Sequence, residues 1–389
     1  MSVILEHPWS WDDIPPLDDQ DAPSPNGQHP RSKGHAERVE HHADELRARR
    51  EARRLVDEEE SGLTPVQFET VTATEFLTIE FPADPTVIDR FVVEGGNTLV
   101  VAPKKTGKTT LAGNLGRSLV EGVPFLGALA CSKPRRSYLM NLEMSDPMLQ
   151  GWLTDIGIHP DARDRLVVSR NLRGRSIALT NTTVRKEIAK QLAGDGIEVW
   201  LIDCMRPLIA ACGFSENDNA EISRLLLYVD EIKHEAGCHT SVGFHHAGKG
   251  EVEDGRESGR GASAWGDWPD VSVYLTKDKA NVRYMRTEGR LDDIPESRLD
   301  YSYPTRRLTL AGEGESRQDT RLNTAVAAVT EAVHENPGIN KSGLTRAIHH
   351  AVSNTADKDA AISEALRQKR IHYLPGPNRQ QLHYPGPRP

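Results

Sequence analysis

The sequence predicts an α/β protein built on a mostly parallel sheet, and three observations carry that prediction. Between about residues 65 and 313, short and nearly continuous apolar runs alternate with helical segments. Strands buried on both faces by crossover helices require runs of that kind. The segment "EISRLLLYVDEIKHEA" (221–236) places apolar residues at 222, 225, 226, 229 and 232, a helical spacing. The stretch "NTLVVAPKKTGKTTLAGNL" (97–115) sets a strand, a glycine-bearing turn and a helix in direct succession.

Taken in chain order, residues 1–34 are rich in Pro, Asp, Gly and Ser without periodicity, the composition of a disordered segment. Residues 35–60 hold strong helix formers, but Val39, Ala43 and Leu46 make only a thin apolar stripe. Both a solvated helix and a partner-docking helix fit that pattern. Residues 1–64 are therefore set aside as an extension. The expected strands of the central region, 65–313, are 98–102, 137–142, 197–203, 239–244, 270–275, 281–286 and 306–310. A polar stretch, "AGEGESRQDTR" (311–321), supplies a linker assigned to 314–321. In 322–389, "NTAVAAVTEAVHEN", "LTRAIHHAV" and "KDAAISEALRQKR" read as three helices, and "IHYLPGPNRQQLHYP" as a two-stranded wing. Three short helices and a hairpin make the winged-helix plan, a variant of helix-turn-helix.

Composition narrows the class. The 389 residues are 37% hydrophobic and 27% charged, ordinary for a soluble protein. Only 5% are aromatic and the mean hydropathy is −0.54, so part of the chain is expected to lie outside any core. No apolar run approaches the ~20 residues that span a bilayer, and the acidic amino terminus lacks the basic start of a signal peptide. No membrane partner is expected. The four cysteines, Cys131, Cys204, Cys212 and Cys238, are too scattered for a disulfide framework and include no C-x-x-C pair. A reducing, cytoplasmic setting follows. The net charge is −9, yet residues 317–389 hold ten Lys/Arg against six Asp/Glu, a basic module on an acidic protein.

The chemistry gathers at expected strand ends. The phosphate-loop pattern is G-x-x-x-x-G-K-[ST]. Here Gly107, Lys108 and Thr109 are in register, while Ala102 stands at the first glycine. Alanine is tolerated there if its φ is negative. Residues Pro103, Lys104, Lys105, Thr106, Gly107, Lys108, Thr109 and Thr110 would cradle phosphate through backbone N–H groups and the helix N-terminus. Lys108 would reach the β/γ-phosphates, and Thr109 would hold Mg²⁺. A second strand delivers Glu143, placed to orient and polarise an attacking water. A third, "EVWLIDCMRPL", ends in Asp203, a carboxylate suited to Mg²⁺. A fourth ends in His245 and His246. Zinc needs three or four ligands and no further spacing suggests them, so a polar sensor of the γ-phosphate fits this pair better, with Lys249 assisting. The glycine-rich loop with Arg256, Arg260 and Trp265 suits either nucleic-acid contact or an ordinary surface loop. Arg283, Arg286 and Arg290 follow, as an arginine finger or as surface ion-pair partners.

In order, "VVAPKKTGKTT", "YLMNLEMSDPMLQGWL", "VWLIDCMRPL", "ENDNAEISRLL", "GFHHAGKG" and "GRGASAWGDWPDVSVYL" resemble the RecA-like ATPases of the RepA type, relatives of the DnaB-type hexameric helicases. The resemblance covers about residues 65–313. It implies a RecA-like P-loop core, a homo-oligomeric ring, often hexameric, with ATP and Mg²⁺ between subunits, and action on single-stranded DNA. It also implies that Lys108 and Thr109 are the loop residues, Glu143 the catalytic glutamate and Asp203 the metal-associated aspartate. His246 falls near the sensor, and Arg290 or Arg286 corresponds loosely to an interface arginine. The winged-helix-like carboxy-terminal module is foreign to that core and suggests tethering to duplex DNA. Lys341, Ser342, Arg346, Lys358, Arg367 and Arg370 are its candidate phosphate contacts. The expected function is an ATP-driven DNA helicase in replication. The alternatives are an ATP-controlled DNA-binding regulator or loader and, less well matched, a small-molecule kinase.

Overall fold

A computed structural model describes residues 70–81, 85–246, 263–278, 280–312, 314–352 and 354–387, together with His41, Asp44, Arg47 and Ala48. The chain divides into two units, Met1–Glu69 and Thr70–Pro389. In the first, the four described residues are helical and exposed. The expected disorder of residues 1–34 lies outside the described residues, as do Lys249, Arg256 and Arg260.

The second unit opens with a short exposed helix, α1 (Ala73–Phe76), and an antiparallel ribbon of β1 (Thr86–Ile88) and β2 (Val92–Val93). Then come β3 (Asn97–Ala102), α2 (Lys108–Glu121), β4 (Ser137–Asn141), α3 (Asp146–Ile156), β5 (Leu166–Val168), α4 (Thr182–Gly194) and β6 (Val199–Asp203). After these follow α5 (Arg206–Ala211), α6 (Asn219–Ala236), β7 (Thr240–His246), α7 (Ala264–Asp267), β8 (Val271–Lys277), β9 (Arg283–Gly289), β10 (Ser297–Tyr301) and β11 (Leu308–Leu310).

Strands β3 to β11 form one nine-stranded sheet in the order β11-β10-β9-β8-β3-β7-β6-β4-β5. From β5 across to β8 every pairing is parallel. From β8 to β11 every pairing is antiparallel. The expected mostly parallel sheet thus carries an antiparallel flank. The cause is the length of the connections: 278–282, 290–296 and 302–307 are shorter than the dozen or so residues a parallel crossover needs. Strands β5 and β10, absent from the expected set, are short or alternate with charge ("LVV" and "SRLDY").

Both faces of the sheet are covered. Leu111, Leu115 and Leu119 recur along one side of α2 and are fully buried against Leu139, Leu201 and Phe244. Each such side chain contributes about 1.5–3 kcal/mol on leaving water. On the other face, Leu225 and Val229 of α6 and Ala189 and Leu192 of α4 pack over Trp200 and Ile202. Helices α2 and α3 meet at Gly113, where a Cβ would come within 2.6 Å of the Ile156 side chain.

The carboxy-terminal region starts earlier than its apolar pattern suggested. Helix α8 (Arg317–Glu335) is capped by Ser316, whose hydroxyl accepts from the Asp319 N–H while the Asp319 carboxylate accepts from the Ser316 N–H. Residues 317–321, read as linker, are therefore helical. Strand β12 (Ile339–Asn340), α9 (Lys341–Ala347), α10 (Thr355–Arg367), β13 (Ile371–Pro375) and β14 (Gln381–Pro385) complete the region. The two-stranded wing becomes a three-stranded antiparallel sheet, ordered β12-β14-β13. Val326, Val329, Leu344, Ile348 and Ile362 form its core.

Candidate nucleotide site

The loop between β3 and α2 is built as a cradle. Ala102 ends β3 fully buried and is not among the residues with positive φ, so alanine costs nothing there. Gly107 has φ +119°, a backbone that L side chains rarely adopt, and it lies against the Arg283 side chain. Lys105 carries φ +63° without being glycine, local strain of a kind that collects at functional sites. Thr106, Lys108 and Thr110 are buried, while Lys104 and Lys105 are exposed. Pro103 and Thr109 are half-buried.

Parallel pairing then fixes what faces the loop. Strands β4, β6 and β7 end beside β3, with Asn141 paired to Asp203, Asp203 to Phe244, and Ala102 to His246. Lys108 Nζ donates to the Ala102 carbonyl (3.1 Å) and lies 2.7 Å from His246 Nδ1. His246 Nε2 lies 3.0 Å from Glu143 Oε1. An ammonium only donates, so Nδ1 accepts from Lys108 and the proton on Nε2 is left for Glu143. Glu143 is placed by Asn141, whose amide donates to the Met144 carbonyl (2.8 Å) and whose oxygen accepts from the Met144 N–H (3.0 Å). That clamp turns the chain directly after the strand.

The electrostatics follow. The hydrogen bond from His246 holds the Glu143 carboxyl down at about 2. Burial lowers the Lys108 pKa, opposed by the nearby Cys204, Glu143 and Asp203. Asp203 is fully buried and burial pushes it up to about 6; the neighbouring Thr109 hydroxyl offsets part of this. Neither Asp203 carboxylate oxygen has a hydrogen-bond partner of normal geometry. An orphaned buried carboxylate beside a hydroxyl is the donor set a hard divalent cation takes, so Thr109 and Asp203 fit Mg²⁺.

The two histidines separate. His245 is buried, burial drives its pKa to about 3, and its ring stacks on Trp265 with centroids 4.1 Å apart. Trp265, expected either in nucleic-acid contact or in an ordinary surface loop, is thereby enclosed at 7% exposure. Of the late arginines, Arg290 lies at the opposite end of the sheet, bonded to Asp270 beside the start of β3. Within its own chain it does not reach the loop, and the role the structure gives it is the ion pair with Asp270. Arg286 lies over the Tyr274 ring and pairs with Glu288. Arg283 instead donates to the Thr106 carbonyl (2.8 Å), and Lys277 to that of Lys105 (3.3 Å). Antiparallel β9 begins where β8 ends, a placement a parallel reading of the sheet could not give.

Residues 63–252 match the family model described as AAA domain. This span holds the loop, Glu143, Asp203 and His246. It is a P-loop ATPase domain. No curated protein matches the sequence. Among solved structures, a KaiC-like protein from the hyperthermophilic archaeon Pyrococcus horikoshii is similar at 13% identity and a TM-score of 0.42, over 58% of this chain and 94% of that one. Among the described residues, no helix is long and apolar enough to cross a membrane.

Proposed function

We propose that the ATPase domain is RecA-like and hydrolyses Mg²⁺-ATP between the subunits of a ring that acts on DNA, with unwinding during replication as its task. The observation that carries the hydrolytic part is the chain Lys108–His246–Glu143 at one strand edge, with the orphaned Asp203 carboxylate beside it. Lys108 neutralises charge on the β- and γ-phosphates. Thr109 and Asp203 would hold Mg²⁺, which would supply further charge neutralisation. Glu143, while it accepts from His246, is a weak base that orients water. Its basicity rises when His246 turns to the γ-phosphate, which places proton abstraction after nucleotide binding.

The carboxy-terminal region supports the DNA part. Its order of helices and strands fits a winged helix. Arg346 and Arg370 are exposed there. Lys341 pairs with Asp359 and Arg367 with Glu364, while Lys358 is buried against His349, which removes it as a phosphate contact. The same module favours a second reading, an ATP-controlled DNA-binding regulator or loader that unwinds nothing.

ATP turnover measured with and without single-stranded DNA, together with the mass of the ATP-bound particle, tests the proposal. Stimulation by DNA in an oligomer is expected. A monomer with DNA-independent turnover contradicts the ring and helicase reading, and strand displacement on a forked substrate divides helicase from regulator. Lys108→Ala is expected to abolish turnover.

A further inference from the structure

Three neighbouring strands deliver a set of side chains that hydrolysis uses only in part. Glu143 follows β4, Cys204 follows β6 and His246 ends β7. Parallel pairing sets these strand ends side by side. One ligand atom from each residue lies within 4.8 Å of the other two. His246 Nε2 is 3.0 Å from Glu143 Oε1, and the Cys204 thiol donates to the Glu143 carboxylate. The thiol is fully buried. The His246 and Glu143 side chains are 13% and 36% exposed, so the cluster opens to solvent on their side.

A carboxylate oxygen, an imidazole nitrogen and a sulfur are the donors of a zinc site with three protein ligands and one open position. Bonds of about 2.0–2.3 Å at tetrahedral angles hold such donors roughly 3.4–3.6 Å apart, so the cluster closes on an ion by small side-chain shifts. The sulfur selects against Mg²⁺, which takes oxygen ligands in octahedral geometry. Charge favours a divalent ion as well. Glu143, Asp203 and a Cys204 thiolate bring three negative charges, which Lys108 and such an ion cancel. No linear spacing announces this set, because each ligand comes from a different strand.

We propose that Glu143, Cys204 and His246 bind Zn²⁺, beside and separate from the Thr109–Asp203 pair, and that the bound ion leaves the protein able to take up ATP but unable to hydrolyse it. The ion takes Nε2 of His246, whose proton moves to Nδ1, and the thiol proton leaves to solvent. Protonated Nδ1 no longer accepts from Lys108, so the ammonium is released toward phosphate. Glu143, bound to the ion, no longer orients or activates water. The inhibition rests on the hydrolytic role proposed for Glu143; the binding itself does not.

The test titrates the full-length protein, freed of metal by a chelator, with Co²⁺ as a spectroscopic substitute for Zn²⁺. A thiolate-to-cobalt charge-transfer band and the strong visible bands of tetrahedral cobalt are expected, saturating at one ion per chain and bleached by Zn²⁺. The double variant Cys131→Ser, Cys212→Ser, at the two half-buried thiols, should keep the charge-transfer band. Cys204→Ala should lose it, and Glu143→Gln should weaken Zn²⁺ binding by about tenfold or more. A parent without the band, or a band that survives in Cys204→Ala, overturns the site. Should Cys204→Ala fail to fold by circular dichroism, unchanged Zn²⁺ affinity in Glu143→Gln overturns it instead. With Mg²⁺ in excess, Zn²⁺ loading is expected to lower ATP turnover about 10²-fold, with ATP binding retained and turnover restored by a zinc-selective chelator. Full turnover by the loaded protein overturns the inhibition. A parent that shows the band but never hydrolyses ATP sinks the proposed hydrolysis, and the inhibition with it, while the zinc site stands.

Discussion

The Lys108 ammonium lies 2.7 Å from Nδ1 of His246, so the lysine that should grip phosphate is already engaged by the residue that should sense it. Under the proposed function, nucleotide breaks that contact. Binding energy is therefore divided between gripping phosphate and releasing His246, and the release in turn frees Glu143 from its donor.

His246→Ala separates the two roles. Without the imidazole, Lys108 has one acceptor fewer to surrender, and ADP affinity should rise by about tenfold, the worth of one charge-assisted hydrogen bond. Turnover should fall by about 10²-fold, because the proposed γ-phosphate sensor is gone. ADP titration by calorimetry beside steady-state kinetics checks this. Weaker ADP binding would mean that His246 supports the cradle and does not compete for it.

Acid stability should be set in part by His245. Burial holds its folded pKa at about 3, below the ordinary 6.5. The unfolded chain takes up a proton below pH 6.5 that the folded chain refuses. The stability from this residue is full above 6.5 and falls progressively down to pH 3, with about 2 kcal/mol lost by pH 5. His245→Phe keeps a ring against Trp265 and removes the titration. Its unfolding free energy by denaturant titration should change less between pH 7 and pH 5 than that of the parent.

In the carboxy-terminal region, Arg346→Ala and Arg370→Ala should each weaken duplex binding and reduce the slope of log affinity against log salt by about one. Lys358→Met should leave that slope unchanged, since its ammonium is buried against His349. Fluorescence anisotropy across a salt series reads both.

Much of this was legible in the sequence because it lay on buried strands. Apolar runs located β3, β4, β6 and β7, and their shared direction placed Lys108, Glu143, Asp203 and His246 at one edge. Other features depend on pairing, which a linear pattern does not encode. Arg283 and Arg290 look alike in the sequence, yet antiparallel pairing puts Arg283 on the loop and Arg290 at the far end of the sheet. Asn141 is missed for a different reason, since a polar residue closing an apolar strand looks like an ordinary strand end until its side chain is seen clamping Met144. Trp265 beside a glycine-rich stretch suited either a stacking surface or an ordinary surface loop, and only the fold reveals His245 beneath it.

The most direct test of the hydrolytic assignment is Glu143→Gln, with turnover and ATP binding measured on the same preparation. The site described here predicts Mg²⁺-dependent turnover in the parent, a loss of about 10²–10⁴-fold in the variant, and ATP binding retained. Equal turnover by parent and variant would remove Glu143, and with it the Lys108–His246–Glu143 chain, from the chemistry.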